Sequence, residues 1–278
     1  MIESKIGLGT VQFGLNYGIS NTVGKTDSSE VGRILEVARM NGINTIDTAS
    51  GYGESEKILG ISDVKEFHIV SKYKPPVEGF SIKNQLNNSL NQLRIKALYG
   101  YLAHRPMDLL QHREQWEEML LFREMKLVDK IGFSCNETAE LELLLGKNFI
   151  PDIIQVPYNY FDKRFEPYFL QLKSKHVEIH TRSSFLQGLF FVPADKLHPY
   201  FERVKPLIGA LQCKYGNNLS RILLGHCLKN PSIDKVIIGV NNVTQLNENL
   251  RAGYEGDILP DLNESIPDNI VMPSQWKL

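Results

Sequence analysis

The chain has 278 residues and a formal net charge of −1, with 42% hydrophobic and 23% charged residues, which are ordinary values for a soluble globular protein. The charge gives no reason to expect a nucleic-acid or membrane-surface partner, and no apolar run approaches the ~20 residues that a membrane-spanning helix needs. The first residues contain no signal-peptide core, and the three cysteines are widely spaced and odd in number. We therefore expect reduced thiols and a cytoplasmic location.

Eight short apolar segments alternate with longer helical patterns along the chain. They predict strands at Ile6–Thr10, Asn44–Asp47, His68–Lys72, Leu98–Ala103, Lys130–Ser134, Ile153–Val156, Glu178–Arg182 and Val236–Gly239. Several of these segments are apolar almost throughout, as expected of parallel strands that are covered on both faces.

Apolar residues at helical spacing fill most of the intervals between these strands. They predict one helix that runs from an Asp27 or Ser28 cap to Met40 and one that follows Ser81 and runs to Arg94. They predict further helices over Glu114–Met125, Thr138–Leu145, Glu166–Lys175, Tyr200–Tyr215, Leu219–Lys229 and Thr244–Tyr254. No domain boundary interrupts the alternation. It favours one closed (β/α)8 TIM barrel over residues 1–278, not an open doubly wound sheet. The segment after Gly256 carries three prolines and is expected to be an irregular arm that buries Trp276, either against the barrel wall or beside the substrate pocket.

Active sites of such barrels form at the carboxyl ends of the strands. Polar and ionisable residues follow or close the predicted strands at Gln12, Asp47, Tyr52, Lys72, His104, Ser134, Gln155, Asn159 and Arg182. No spacing typical of metal ligands occurs in the chain, so we expect no metal site.

Four of these residues, Asp47, Tyr52, Lys72 and His104, suit the reduction of a carbonyl group. A hydride that reaches the carbonyl carbon leaves negative charge on oxygen, so a proton donor must lie beside that oxygen. Tyr52 can be the donor, because a nearby ammonium such as that of Lys72 favours the ionised form of a phenol. Asp47 can keep Lys72 charged, and His104 can donate a second hydrogen bond to the oxygen. Each residue alone is a weak signal, and the four together are predicted to be the catalytic set.

The order and spacing of these four residues resemble the Asp-Tyr-Lys-His tetrad of the aldo-keto reductases. The residues that carry the resemblance are Asp47-x-Ala49-x-x-Tyr52-Gly53, Ser71-Lys72 and His104-Arg105-Pro106. Further similar segments are Gly7–Thr10, Ile131–Ser134, Gln155–Asn159, Ser183–Leu189 and Ile238–Gly239 with Glu248–Leu250. The resemblance thus extends over nearly the whole chain and implies an NAD(P)H-dependent oxidoreductase that acts on an aldehyde or ketone.

The resemblance also implies where a nicotinamide cofactor, NADP(H) or NAD(H), would bind. Ser134 and Gln155 would hold the nicotinamide amide, and Arg182 would stack on the ring. The loop Ser183–Gly188, with Ser183, Phe185, Gln187 and Gly188, would cover the pyrophosphate. The adenosine end would lie against Gly239, Asn241, Gln245, Glu248 and Asn249. Backbone N–H groups near a helix start are suited to phosphate binding.

Three residues or segments depart from the pattern of the family. Cys135 follows Ser134 where many members have asparagine, which predicts the loss of one amide contact. Arg182 stands where many members place a tyrosine, although a planar guanidinium can stack in a similar way. The segment 239–245 has no lysine or arginine for a 2′-phosphate, and Arg251 is the nearest replacement, so the choice between NADH and NADPH stays open.

Other functions remain compatible with the same residues. The chain could be a cofactor-binding barrel that regulates a partner, or a dehydratase or epimerase that oxidises its substrate transiently. An unrelated barrel lyase or isomerase is a further alternative. Among carbonyl substrates the short loop after His104 favours an open, polar-tolerant pocket and sugar derivatives, and the sequence is compatible with a monomer or a homodimer.

Overall fold

Eight parallel strands close on themselves in chain order in the computed structural model, which describes residues 4–252, 259–262 and 264–278. The strands are β1 (Ile6–Gly9), β2 (Thr45–Asp47), β3 (His68–Tyr73), β4 (Leu98–Ala103), β5 (Val128–Ser134), β6 (Ile153–Pro157), β7 (Glu178–Arg182) and β8 (Lys235–Gly239). Each strand pairs with the next, and β1 pairs with β8. The predicted (β/α)8 barrel is confirmed, and the observed strand ends lie within two residues of the predicted ends.

The helices surround the barrel and occupy most of the intervals in which they were predicted. They are α1 (Val11–Gly14), α2 (Ser28–Met40), α3 (Ser55–Ile61), α4 (Ile82–Leu93), α5 (Arg113–Glu124), α6 (Thr138–Gly146), α7 (Phe169–Ser174), α8 (Lys205–Tyr215), α9 (Leu219–Leu228), α10 (Val243–Leu250) and α11 (Asp268–Val271). Among the described residues, no helix is long and apolar enough to span a bilayer.

Some predicted helix bounds were wrong, for local reasons. The pattern at Tyr200–Tyr215 predicted one helix, but only Lys205–Tyr215 is α-helical, because Pro206 can stand only in the first turn. The short α1 and α3 were missed, since four or seven residues carry little periodicity. The predicted end of the last helix at Tyr254 falls outside the described residues, and α10 ends at Leu250.

The largest group of buried apolar side chains lies between the strands and the outer helices, and a smaller one of Val70, Leu102 and Ile153 fills the barrel. A separate group lies beneath the long connection from β7 to α9. The C-terminal arm packs on this last group. Its Trp276 ring meets Phe201 edge to face with centroids 4.9 Å apart, and its indole N–H donates to the Ile270 carbonyl at 2.9 Å. These contacts favour the packing role expected for Trp276.

Candidate active site

A lysine–carboxylate pair is buried at the carboxyl ends of β2 and β3. The Lys72 Nζ lies 2.7 Å from each carboxylate oxygen of Asp47 and 2.9 Å from the Thr48 carbonyl, and its side chain is wholly buried. Burial is the largest single influence and would lower the pKa of Lys72, but the charge and hydrogen bonds of Asp47, together with Tyr52, outweigh it and raise the pKa above its ordinary value. Lys72 is therefore a fixed cation. Asp47 also accepts a hydrogen bond of 2.7 Å from the Gln155 amide nitrogen.

Tyr52 and His104 lie beside this pair. The Lys72 Nζ is 5.1 Å from the centroid of the Tyr52 ring, and the His104 ring meets that ring edge to face at 5.9 Å. The structure thus brings together the four residues predicted from the strand ends. Within the described part of the chain the Tyr52 hydroxyl has no hydrogen-bond partner, so it is available to a ligand.

The His104 imidazole is neutral at physiological pH. Its burial, reinforced by the positive charges of Lys72, Arg182, Lys74 and Arg105, lowers its pKa from 6.5 to about 3. A neutral imidazole keeps one N–H group and can still donate a hydrogen bond.

A cleft of about 750 Å³ extends from Asp47 and Tyr52 across the barrel mouth, a volume typical of sites that bind small molecules and cofactors. Ten of the residues predicted to hold a cofactor line it: Arg182, Ser183, Phe185, Gln187, Gly188, Gly239, Asn241, Gln245, Glu248 and Asn249. Ser134 and Gln155 are buried at the ends of β5 and β6 and lie outside the cleft lining, as do Lys72 and His104.

The turn after β7 is held in a conformation that costs free energy. Ser183, Leu186 and Gln187 have φ values of 65°, 47° and 53°, in the left-handed region that residues other than glycine seldom adopt. Buried Asn159 helps to hold this turn, because its amide nitrogen donates to the Ser183 carbonyl at 3.0 Å. A strained turn of this kind at a cleft wall is typical of a ligand-binding segment.

The opposite end of the cleft is the N-terminus of α10. The Asn242 side chain caps this helix by accepting from the Gln245 N–H at 2.9 Å, and the Gln245 side chain accepts from the Asn241 N–H at 2.8 Å. The Glu30 carboxylate accepts from the Val243 N–H at 2.7 Å. Protein side chains therefore already occupy the backbone donors that a phosphate would use here.

Two further residues face the cleft. Gln12 was noted only as a strand-end residue, and its buried Oε1 atom has no hydrogen-bond partner among the described residues. Tyr17 also lines the cleft, and burial together with the nearby Tyr52 raises its pKa above the ordinary value. Tyr17 lies in an irregular loop, where no periodicity distinguishes a cleft residue from an ordinary loop residue.

The Arg182 guanidinium donates to the Cys135 carbonyl at 3.1 Å and to the Asn136 side chain at 2.6 Å.

Comparison with protein families connects this geometry to known chemistry. The family model described as "Aldo/keto reductase family" matches residues 5–258. The chain belongs to the aldo/keto reductase family. The members of this family are NAD(P)H-dependent oxidoreductases, so the enzyme class and the type of cofactor expected from the sequence are confirmed. No curated protein matches the chain significantly.

Solved structures show the same fold at low sequence identity. An aldo-keto reductase from Bacillus halodurans in its holo form is 20% identical with a TM-score of 0.71, over 93% of this chain and 89% of that one. An aldo-keto reductase from Klebsiella pneumoniae in complex with NADPH is 20% identical with a TM-score of 0.67, over 90% and 85%. A glycerol dehydrogenase from Gluconobacter oxydans is 20% identical with a TM-score of 0.68, over 93% and 88%.

Proposed function

We propose that this protein reduces an aldehyde or ketone with a nicotinamide cofactor and that Tyr52 is the general acid. The observation that carries the proposal is the position of the Tyr52 hydroxyl, which has no hydrogen-bond partner among the described residues, beside a buried, permanently charged lysine. Tyr52 gives its proton to the carbonyl oxygen as negative charge develops there. The Lys72 ammonium then stabilises the phenolate that remains.

The other residues of the set position the Lys72 ammonium and polarise the substrate carbonyl. Asp47 holds Lys72 with two short hydrogen bonds, and Gln155 orients Asp47 in turn. Neutral His104 donates a hydrogen bond to the same substrate oxygen, because its lowered pKa leaves one N–H group in place at physiological pH. In the oxidative direction the same groups act in reverse, with the Tyr52 phenolate as the base.

The cleft fits an extended nicotinamide cofactor, which when bound supplies the hydride. The orphaned Gln12 amide oxygen offers an acceptor on the cleft wall, and Gly239 leaves room that a side chain would fill, since an added Cβ would lie 2.4 Å from the Gln12 amide. We propose that Arg182 and the Ser183–Gly188 turn, with Phe185 and Gln187, hold the nicotinamide and pyrophosphate. Asn241, Gln245, Glu248 and Asn249 would hold the adenosine. Ser134 and Gln155 lie outside the cleft lining, so the nicotinamide would have to enter the barrel end of the cleft to contact them.

We expect the enzyme to discriminate only weakly in favour of NADPH. No lysine or arginine lines the described adenosine end of the cleft, whereas Glu248 does, and Glu30 caps α10 beside it. Hydrogen bonds to charged groups contribute about 1.5–3 kcal/mol each, so their absence removes the usual gain from a 2′-phosphate. Fluorescence titration with both reduced cofactors should show NADPH binding at most about tenfold more tightly than NADH.

A matched variant tests the electrostatic reason for this cofactor choice. Glu30→Gln keeps a side-chain acceptor for the Val243 N–H but removes the negative charge, so its affinity for NADPH should rise relative to that for NADH. A thousandfold preference of the wild type for NADPH would contradict the expectation and direct attention to Arg251.

Turnover with a panel of carbonyl compounds tests the proposed activity itself. Loss of cofactor absorbance that depends on an aldehyde or ketone is expected. Cofactor binding without turnover of any carbonyl or alcohol would instead support a regulatory barrel, and a product that retains the redox state of its substrate would support a dehydratase or epimerase.

A further inference from the structure

Two cations stand at the Tyr52 end of the mouth, away from the adenosine end of the cleft. Lys74 follows β3 and lies two residues beyond Lys72, and Arg105 directly follows His104. Both residues are exposed. Among the described residues, neither side chain forms an ion pair with a carboxylate.

The Lys74 side chain is folded toward the catalytic tyrosine. Its Cε and Nζ atoms lie 2.5 Å and 3.3 Å from the point that a Cβ at Gly51 would occupy, and Gly51 directly precedes Tyr52. A side chain at position 51 would displace this lysine, so the glycine provides the surface along which Lys74 lies.

A buried amide fixes the backbone of Lys74. Gln85 on α4 is only 3% exposed, accepts from the Lys74 N–H at 3.0 Å and donates to the Lys74 carbonyl at 2.9 Å. The Ser50 hydroxyl lies 3.4 Å from the same Gln85 oxygen, which connects this clamp to the loop that carries Tyr52. The backbone of Lys74 is therefore connected by hydrogen bonds to the loop that carries Tyr52.

Three carboxylates at this end of the barrel are engaged with other partners. Asp47 pairs with Lys72, Glu54 pairs with Lys25, and Asp108 accepts from Gln115. The pKa of His104 reflects an excess of positive charge. Burial is the largest cause of its decrease, and the positive charges of Lys72, Arg182, Lys74 and Arg105 are the remaining causes.

We infer that the substrate is a carbonyl compound that also carries an anionic group, a carboxylate or a phosphate, which Lys74 and Arg105 bind while the carbonyl oxygen meets Tyr52. The inference rests on the proposed function and names its substrate class. Two cations that follow the neighbouring strands β3 and β4, next to the strand that precedes Tyr52, can hold an anion that is attached a few bonds from the reacting carbon. An arginine and a lysine are both suited to carboxylate and phosphate oxygens.

Matched pairs of aldehydes test the inference. Para-carboxybenzaldehyde is compared with para-carbamoylbenzaldehyde, which has a similar shape and no charge, and glyceraldehyde phosphate is compared with glyceraldehyde. In the wild type the anionic member of at least one pair should have a kcat/KM at least about tenfold higher. The pair that shows the difference identifies the anionic group. Raising the ionic strength should reduce the difference, because salt screens exposed charges.

Variants then assign the effect to these residues. Lys74→Gln and Arg105→Gln should each raise the KM for the preferred anionic aldehyde about fivefold, as expected for an exposed charge contact, and leave that for its neutral partner unchanged. Lys175→Gln is the control, since Lys175 is an exposed lysine that follows α7 and precedes β7 at the other end of the barrel. It should change neither KM.

The outcomes separate the two proposals. Equal kcat/KM values within both pairs would overturn the inference and leave the proposed reductase intact, and so would equal losses on charged and neutral aldehydes in the Lys74 and Arg105 variants. Absence of turnover with every aldehyde would refute the proposed function and this inference with it.

Discussion

Two clusters at opposite ends of the barrel contain the same four residue types, a lysine, a carboxylate, a tyrosine and a histidine. The cluster at the carboxyl end consists of Asp47, Tyr52, Lys72 and His104. The cluster at the amino end consists of Tyr99, Lys130, Glu178 and His180, which lie within the first three residues of β4, β5 and β7.

Hydrogen bonds link the side chains of the amino-end cluster to one another, although the buried Nδ1 atom of His180 has no partner among the described residues. The Lys130 ammonium donates to the Tyr99 hydroxyl at 2.7 Å, that hydroxyl donates to Glu178 at 2.8 Å, and Glu178 also meets Lys130 and His180. Burial, together with the bond to Glu178, raises the pKa of Tyr99 despite the neighbouring lysine. A phenol held in this way is a poor acid, because its proton is already donated to Glu178.

In the carboxyl-end cluster the same residue types are paired differently. Asp47 and Lys72 satisfy each other in the interior, and Tyr52 lies beside them at the edge of the cleft, where no described residue bonds to its hydroxyl. The comparison teaches that residue types alone do not make a reductive site. What distinguishes the mouth is that the carboxylate neutralises the lysine without engaging the phenol.

The largest expected difference between the clusters is in turnover. Tyr52→Phe removes the proposed proton donor and should lower kcat at least about a hundredfold, the lower limit for loss of a general acid. Tyr99→Phe removes the same hydroxyl at the other end and should leave kcat near the wild-type value. Steady-state kinetics measures both, and cofactor titration should show unchanged affinity in each variant. Near-normal turnover by Tyr52→Phe would refute the assignment.

The next difference is in the free energy of unfolding. Lys72→Met leaves the Asp47 carboxylate buried without its partner, which typically costs about 3–5 kcal/mol. Lys130→Met should cost less, since the Lys130 side chain is 34% exposed and Glu178 keeps Tyr99 and His180 as partners. Urea denaturation measures both losses. Adding Asp47→Asn to Lys72→Met should recover part of the stability, and no recovery would mean that the unpaired charge is not the cause.

The smallest expected difference is in the response of stability to acid. The folded protein resists protonation of His104, whose pKa falls from 6.5 to about 3, so unfolding takes up a proton in that window. The free energy of unfolding must then decrease as the pH falls below 6.5. His226, with a pKa lowered to about 4 mainly by burial, acts in the same direction.

The Glu178 carboxylate of the amino-end cluster should respond only at lower pH. Burial opposes ionisation of Glu178, but its bonds from His180 and Lys130 outweigh burial and hold its pKa below the ordinary 4.5. Its stabilisation is present above that value and is lost as the pH falls through the lower folded pKa. Urea denaturation at pH values between 6.5 and 4.5 should therefore show a smaller decrease in His104→Gln and a wild-type decrease in Glu178→Gln. The reverse pattern would contradict both assignments.

The sequence by itself determined the barrel and the residues that meet at its mouth. Near-continuous apolar runs separated by helical patterns specify eight covered parallel strands, and a residue that closes such a strand must lie at the mouth. Asp47, Lys72 and His104 could therefore be placed together without coordinates. The cleft residues from Arg182 to Gly188 and from Gly239 to Asn249 followed from the resemblance of their segments to one family.

The tertiary structure alone decided how those residues are paired. Glu30 caps a helix that begins more than two hundred residues later, Gln85 on α4 clamps the Lys74 backbone, and Gln155 donates to Asp47. None of these contacts follows from periodicity, because periodicity reports which face of an element is buried and not which side chain of another element it meets. The same limit applies to Tyr52 and Tyr99, since only the arrangement of their neighbours leaves one hydroxyl free and engages the other.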